Sequence, residues 1–395
     1  MKKHTDLRPV ISRRNLLTRT AIAAATLSAP YILTSGVRST KAADNIIRVM
    51  GVTTVALPDW SKFEKATGLK IEFTPIDDNI GVFLHEVEAN DAGERYDLFA
   101  AFSGPWQTLA KKGFLSKIDA TKLSNWGGVS ESVKTSPLIM GGEGALWSMP
   151  LVMNADSFAY FPEQLKLPKA PEPISWKLLF DDERTKGMVA LDDSFFTLQH
   201  AGAYLKWNKL ADIADPGNLT SSEAETVANF LIERKKAGQF RTFWTTFDEQ
   251  VALLVNREVV AETAWEPAAK DARSQGAEVE YAWTVEGYDK WMINAFIPKQ
   301  VEARRNAEQV YKALDWFLNG NYAAEIAILR GYLTPRPDLG LEHAKSEGWD
   351  EAKIALISET VAKMEKKFSH PLFWNSGWPS AVEAYEREMA RFKNS

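Results

Sequence analysis

Apolar and polar positions run along this chain in short stretches whose period keeps switching between two and about 3.6. Ile46-Ile47-Arg48-Val49-Met50 reads as a strand, residues 58–66 carry helical spacing that stops at Gly68, and Leu69-Lys70-Ile71-Glu72-Phe73 alternates as a second strand. A period of two buries one face of a strand, and a period near 3.6 buries one stripe of a helix. The opening is therefore β-α-β. Residues 79–90 predict a helix and Tyr96-Asp97-Leu98-Phe99-Ala100 a third, largely apolar strand. Residues 146–150 and 188–191 predict further strands, and residues 222–237, 303–318 and 350–368 predict helices. Strands that alternate with helices imply an α/β fold whose sheets are covered on both faces.

Beyond the N-terminal segment, about 350 residues suggest two domains. The sequence contains no internal repeat, low-complexity tract or long linker, and the prolines at 168, 171 and 173 mark a surface connection rather than a tether. Two lobes that exchange segments through short extended crossovers are expected, with a ligand cleft between them.

The N-terminus has a different composition. Residues 1–19 hold Lys2, Lys3, Arg8, Arg13, Arg14 and Arg19 against Asp6, and an apolar stretch then runs from Ala21 to Leu33. Small residues lead to a cleavage point after Ala42. This pattern predicts a removable export signal, too short for a bilayer span. Ser12-Arg13-Arg14-Asn15-Leu16-Leu17 fits a twin-arginine signal, the alternative being a chance Arg pair in a Sec signal. Residues 1–42 take with them eight of the 47 Lys/Arg and one of the 52 Asp/Glu, leaving 39 against 51 and a net charge of −12. That balance argues against nucleic acid as a partner. With no cysteine in the chain, thiolate metal sites and cysteine nucleophiles are excluded. Neither a cofactor nor a metal is expected.

Catalytic signatures are scarce. His85, His200, His343 and His370 are widely separated, and no His-Glu-x-x-His, Gly-x-Ser-x-Gly or Gly-rich phosphate loop occurs. Asp192-Asp193 offers half of an acid/base pair or a metal ligand, or simply a strand-end turn with one solvated carboxylate. Aromatic residues are the more unusual feature, with 14 Trp, 10 Tyr and 20 Phe. Most belong to the core, but several flank turns: Trp265 before Glu266-Pro267, Trp291 after Glu286-Gly287, Tyr332 before Leu333-Thr334-Pro335, and Trp374 before Asn375-Ser376-Gly377. Aromatic rings at turns make rigid apolar walls that can face a cation.

The order Glu286-Gly-Tyr-Asp-Lys-Trp291-Met-Ile-Asn-Ala-Phe-Ile-Pro298, then Ala313-Leu-Asp-Trp-Phe-Leu318, then Gly331-Tyr-Leu-Thr-Pro335, resembles the bacterial periplasmic spermidine/putrescine-binding proteins. Ser175-Trp176, Gly187 to Asp193, and Val259 to Trp265 are similar to further segments of that family. The resemblance implies a two-lobed periplasmic-binding-protein fold, each lobe a mixed sheet flanked by helices, with the ligand cleft at the hinge. Lobe 1 would comprise residues 43–155 and about 297–345, and lobe 2 about 156–296 and 346–395 with the C-terminal helices. It further implies a monomeric periplasmic receptor that delivers a small organic solute to the permease subunits of an ABC importer. An exported hydrolase-like enzyme using Asp193 and an acid across the cleft, and a sensor without a permease, are the alternatives. An iron receptor of the same fold fits less well, because the comparable turn carries Gly331-Tyr332-Leu333 without paired tyrosines.

By this resemblance Trp265, Trp291 and Tyr332 fall on aromatic positions of the family's site and Asp193 on an acidic one. Ile293 and Phe196 stand where the family has carboxylates. Val52-Thr53-Thr54 and Phe102-Ser103-Gly104-Pro105 stand where it has aromatic residues. A buried ammonium without its anion loses several kcal/mol. The expected ligand therefore has at most one amine, held by Asp193 with Glu266, or is a zwitterion with an apolar part, rather than spermidine.

Overall fold

The computed structural model of the protein describes residues 45–369 and 375–395. The expected signal segment 1–42 and Trp374 lie outside the described residues. Strands β1 (Ile46–Val52), β2 (Lys70–Ile76) and β3 (Leu98–Phe102) form the β-α-β opening, with helix Ser61–Thr67 between the first two. That helix ends where Gly68 takes a left-handed φ of 68°, a conformation open to glycine without strain. The helix Ile80–Glu88 starts at Asn79, whose side chain accepts hydrogen bonds from the Gly81 and Val82 N–H groups. Four more strands follow, β4 (Met149–Tyr160), β5 (Val189–Asp192), β6 (Phe240–Trp244) and β7 (Ala261–Ala264), and then β8 (Asp289–Pro298).

Among the described residues these eight strands lie along one path, in the order β2-β1-β3-β8-β4-β7-β5-β6. Pairing is parallel at both ends of the path and antiparallel where β8 and β4 join them. Two apolar clusters sit on this sheet. One draws on residues 47–153 and 291–326, the other on residues 158–282 and 385–392. β4 runs through both and β8 through the first, and every residue of each strand is buried.

The longest helices pack as their apolar spacing requires. Helix Ser221–Lys236 begins with a capping box of Thr220 and Glu223, and it buries Ala224, Val227, Ala228 and Leu231. The predicted helix 303–318 is broken at Arg305, which adopts φ 58°, so a short helix Gln300–Arg304 precedes Ala307–Phe317. Two helices make up most of the segment 346–395. Helix Glu351–Ser369 packs Ile357 against Ala324, Ala327 and Ala344, whereas helix Val382–Asn394 packs Tyr385, Met389 and Phe392 into the second cluster.

Between those helices residues 375–377 cross the middle of the molecule. The Asn375 N–H donates to the Lys290 carbonyl (2.7 Å), Ser376 N–H to the Gly217 carbonyl (3.3 Å) and Gly377 N–H to the Ser103 carbonyl (3.0 Å). Gly104 makes the close approach possible. It holds φ 116°, and a Cβ there would lie 2.7 Å from both Ser376 Oγ and the Trp378 nitrogen. Gly104→Ala is therefore expected to destabilise the empty protein by about 2 kcal/mol or more. Urea denaturation would check this, and an unchanged midpoint would mean that the crossing segment gives way freely.

Candidate functional site

β4 and β8 are neighbours in the sheet, and their register sets Asp156 directly opposite Asp289. Period two places Asp289 and Trp291 on one face of β8. The Trp291 ring nitrogen donates to Asp156 Oδ2 at 2.6 Å, and the Asn154 amide donates to Asp156 Oδ1 at 3.1 Å. Asp289 Oδ2 accepts from the Asn375 amide and lies against His200 Nε2, each at 2.8 Å. The His200 ring stacks on Trp176 with 5.0 Å between centroids. Asp289 Oδ1 and His200 Nδ1 are buried without a hydrogen-bond partner.

Asp156, His200, Asp289, Trp291 and Asn375 border a cavity of about 510 Å3, a size suited to a small organic molecule. Its walls are aromatic. Trp291 meets Tyr332 edge-on at 5.3 Å and Phe102 at 5.6 Å. Across the cavity Trp244 meets Trp265 at 5.3 Å, and Phe195 meets Phe196 at 5.0 Å. Asn375, Gly377 and Trp378 of the crossing segment complete the lining. Its carboxylates are Asp78, Asp156, Asp192, Asp289 and Glu386, and none of the lining residues is a lysine or arginine.

Burial sets the electrostatics of this cluster. Desolvation, and then the charge of Asp289, push the Asp156 carboxyl up to about 7, against the pull of Lys367, the Trp291 hydrogen bond and His200. Burial also raises the Asp192 carboxyl, although the Ser194 N–H donates to it at 2.7 Å. Asp78 is raised by burial and by its neighbour Asp77. The raised carboxyl of Asp156 therefore favours its neutral form, and a bound cation would favour the ionised one.

Trp265, Trp291, Tyr332 and Phe196 lie along the cavity. Asp193, Glu266 and Ile293 do not, each for a local reason. Asp192 ends β5 and lines the cavity, whereas Asp193, in the bend just past the strand, binds Lys393 Nζ at 2.7 Å. Glu266 turns away to Lys363 and Lys367, at 2.5 and 2.9 Å. Ile293 is fully buried in the first apolar cluster, where it pairs with Phe102 and Val152. Asp156, Asp289 and His200 were missed from the sequence. The available signal was the acid two residues before Trp291, on the same strand face, rather than two residues after it. The cavity thus holds carboxylates that Ile293 and Phe196 were expected to have removed. Among the described residues no cluster of three or more His, Asp or Glu side chains is arranged to hold a metal, and no helix is long and apolar enough to cross a membrane.

Comparisons with known proteins agree with this architecture. A family model for bacterial extracellular solute-binding proteins matches residues 60–355. The spermidine/putrescine-binding periplasmic protein of Salmonella typhimurium is 24% identical over 334 residues, covering 84% of this chain and 86% of its own length. The spermidine/putrescine ABC transporter substrate-binding protein from Streptococcus pneumoniae superposes with a TM-score of 0.67 at 16% identity, over 88% of this chain and 98% of that one. A periplasmic binding protein from Agrobacterium tumefaciens, solved with agropinic acid, gives a TM-score of 0.56 at 17% identity, over 88% and 99%.

Proposed function

Because the chain belongs to the bacterial extracellular solute-binding protein family, whose members serve ABC transporters, we propose that it captures a small organic cation in the periplasm and delivers it to an importer. The carboxylate-lined cavity carries this reading. Five acids with no lysine or arginine around an aromatic slot favour a positively charged ligand. The ammonium head lies against Asp156 and Asp289, where Asp289 Oδ1 has no partner, and the aliphatic part lies between Trp291, Tyr332 and Trp265. The acids beside Trp291 are thus Asp156 and Asp289, in place of the expected Asp193 and Glu266.

Under this reading the two apolar clusters are lobes hinged on β4, β8 and the crossing at 375–377, and they close over the ligand. The chain acts as a monomer and reaches the periplasm by its twin-arginine signal. The hydrolase alternative loses its proposed acid, since Asp193 is paired with Lys393 away from the cavity. A thermal-shift panel of primary amines, quaternary ammonium compounds, betaines, amino acids and sugars would test the ligand class. Ligand at a hundred times its Kd stabilises by about 2.7 kcal/mol, so a cation should raise the melting temperature by several degrees. Stabilisation by neutral sugars alone would overturn the reading.

A further inference from the structure

Behind the cleft wall lies a second cation site that the protein fills with its own side chain. Lys367 is 2% exposed. Its Nζ donates to Glu266 Oε2 (2.9 Å) and to the Ala155 carbonyl (3.2 Å). It also faces two rings, with 4.8 Å to the Tyr281 centroid and 5.6 Å to that of Tyr288. A carboxylate, a carbonyl and two ring faces form the acceptor set that recognises a primary ammonium. The cage touches the cleft wall repeatedly. Ala155 precedes Asp156, and Glu266 follows Trp265. The Tyr281 hydroxyl accepts from the Ser157 N–H (2.7 Å) and donates to the Ala264 carbonyl (3.1 Å). Asp156, Ser157, Ala264 and Trp265 all line the cavity.

We propose that Ala155, Glu266, Tyr281 and Tyr288 form an inner ammonium subsite, and that the tethered ammonium of Lys367 occupies it and restricts the cleft to ligands whose charge ends at Asp156 and Asp289. A dication reaching inward meets the positive charge of Lys367 where it would need an anion. Lys367 is thus a specificity-determining residue. The subsite itself stands on the cage geometry, and the restriction rests on the organic-cation reading above.

Lys367→Ala removes Cγ to Nζ, atoms that n-propylammonium replaces, so the subsite can be tested without knowing the cleft ligand. Millimolar n-propylammonium should raise the melting temperature of Lys367→Ala by several degrees more than that of the wild type, while n-propanol should not. If the variant folds only with help, soluble refolding yield replaces melting as the measurement, again amine against alcohol. No rescue, or equal rescue by n-propanol, overturns the subsite. For the restriction, the ratio of Kd values for n-pentylammonium and pentane-1,5-diammonium is compared between the two proteins. Lys367→Ala should favour the diamine at least tenfold more than the wild type does, and an unchanged ratio overturns the restriction. A wild-type cleft that binds no cation would sink the organic-cation reading and the restriction with it, leaving amine rescue to decide the subsite alone.

Discussion

Asp289→Asn is expected to weaken capture of a cationic ligand a hundredfold or more, about 3 kcal/mol. Breaking a buried charge pair by removing one partner costs that much or more, and Asp289 Oδ1 is the acceptor the empty cleft leaves open. The amide would present a donor, or a neutral oxygen, where the ligand brings a positive charge. The empty fold has little reason to suffer. An asparagine oxygen still accepts from the Asn375 amide, held at 2.8 Å, and the repulsion between two facing carboxylates disappears. Calorimetry at pH 8 with the strongest cation of the panel gives the measurement. A loss below fivefold would mean that the charge is bound elsewhere in the cavity.

The second large effect is a pH dependence that belongs to Asp156. With its carboxyl raised from 3.8 to about 7, the empty protein carries a proton there at pH 6 that a cation must displace. Affinity should fall about tenfold for each pH unit below 7, level off above 8, and be accompanied by proton release. Asp289, His200 and Lys367 also act on this group. Asp156→Asn tests the assignment, because the part of the slope owed to Asp156 disappears. Stability carries the same signature. The folded value lies above the unfolded one, so the contribution of the proton is complete below about pH 4 and is lost as pH rises through 7. The ionised group then costs up to about 4 kcal/mol. Asp156→Asn should melt well above the wild type at pH 8 and match it at pH 4. Equal melting at both pH values would place an ordinary carboxyl at this position.

Where the chain alternates in plain sight, its fold was readable. β1, β2 and the helix between them follow their periods, and helix Ser221–Lys236 announces itself through Thr220 and Glu223. β4 and β8 were harder. A strand buried on both faces has no alternation to show, and Asn154, Asp156 and Ser157 interrupt the apolar run of β4 with polar residues that serve the cleft. For the same reason the acids of the site escaped notice, since a carboxylate inside a strand reads as a break in it. The aromatic positions were easier, because Trp265, Trp291 and Tyr332 stand beside turns marked by proline and glycine. Asp193 shows the resolution of sequence reasoning at a strand end. One residue of register separates the acid in the cavity, Asp192, from the one bound to Lys393.

The position of β8 also governs how the chain comes to be folded. β3 and β4 are not hydrogen-bonded neighbours. β8 lies between them, with Ile293 opposite both Phe102 and Val152. The first half of the polypeptide therefore leaves the ribosome with two apolar strand edges and nothing to close them until residue 298 has emerged. Pairing across so long a loop carries a large closure entropy and slows folding. Open edges of this kind are where nascent chains associate. Closure of the central sheet waits for β8, and the early life of the chain should depend on a chaperone that shields β3 and β4 until the last central strand arrives.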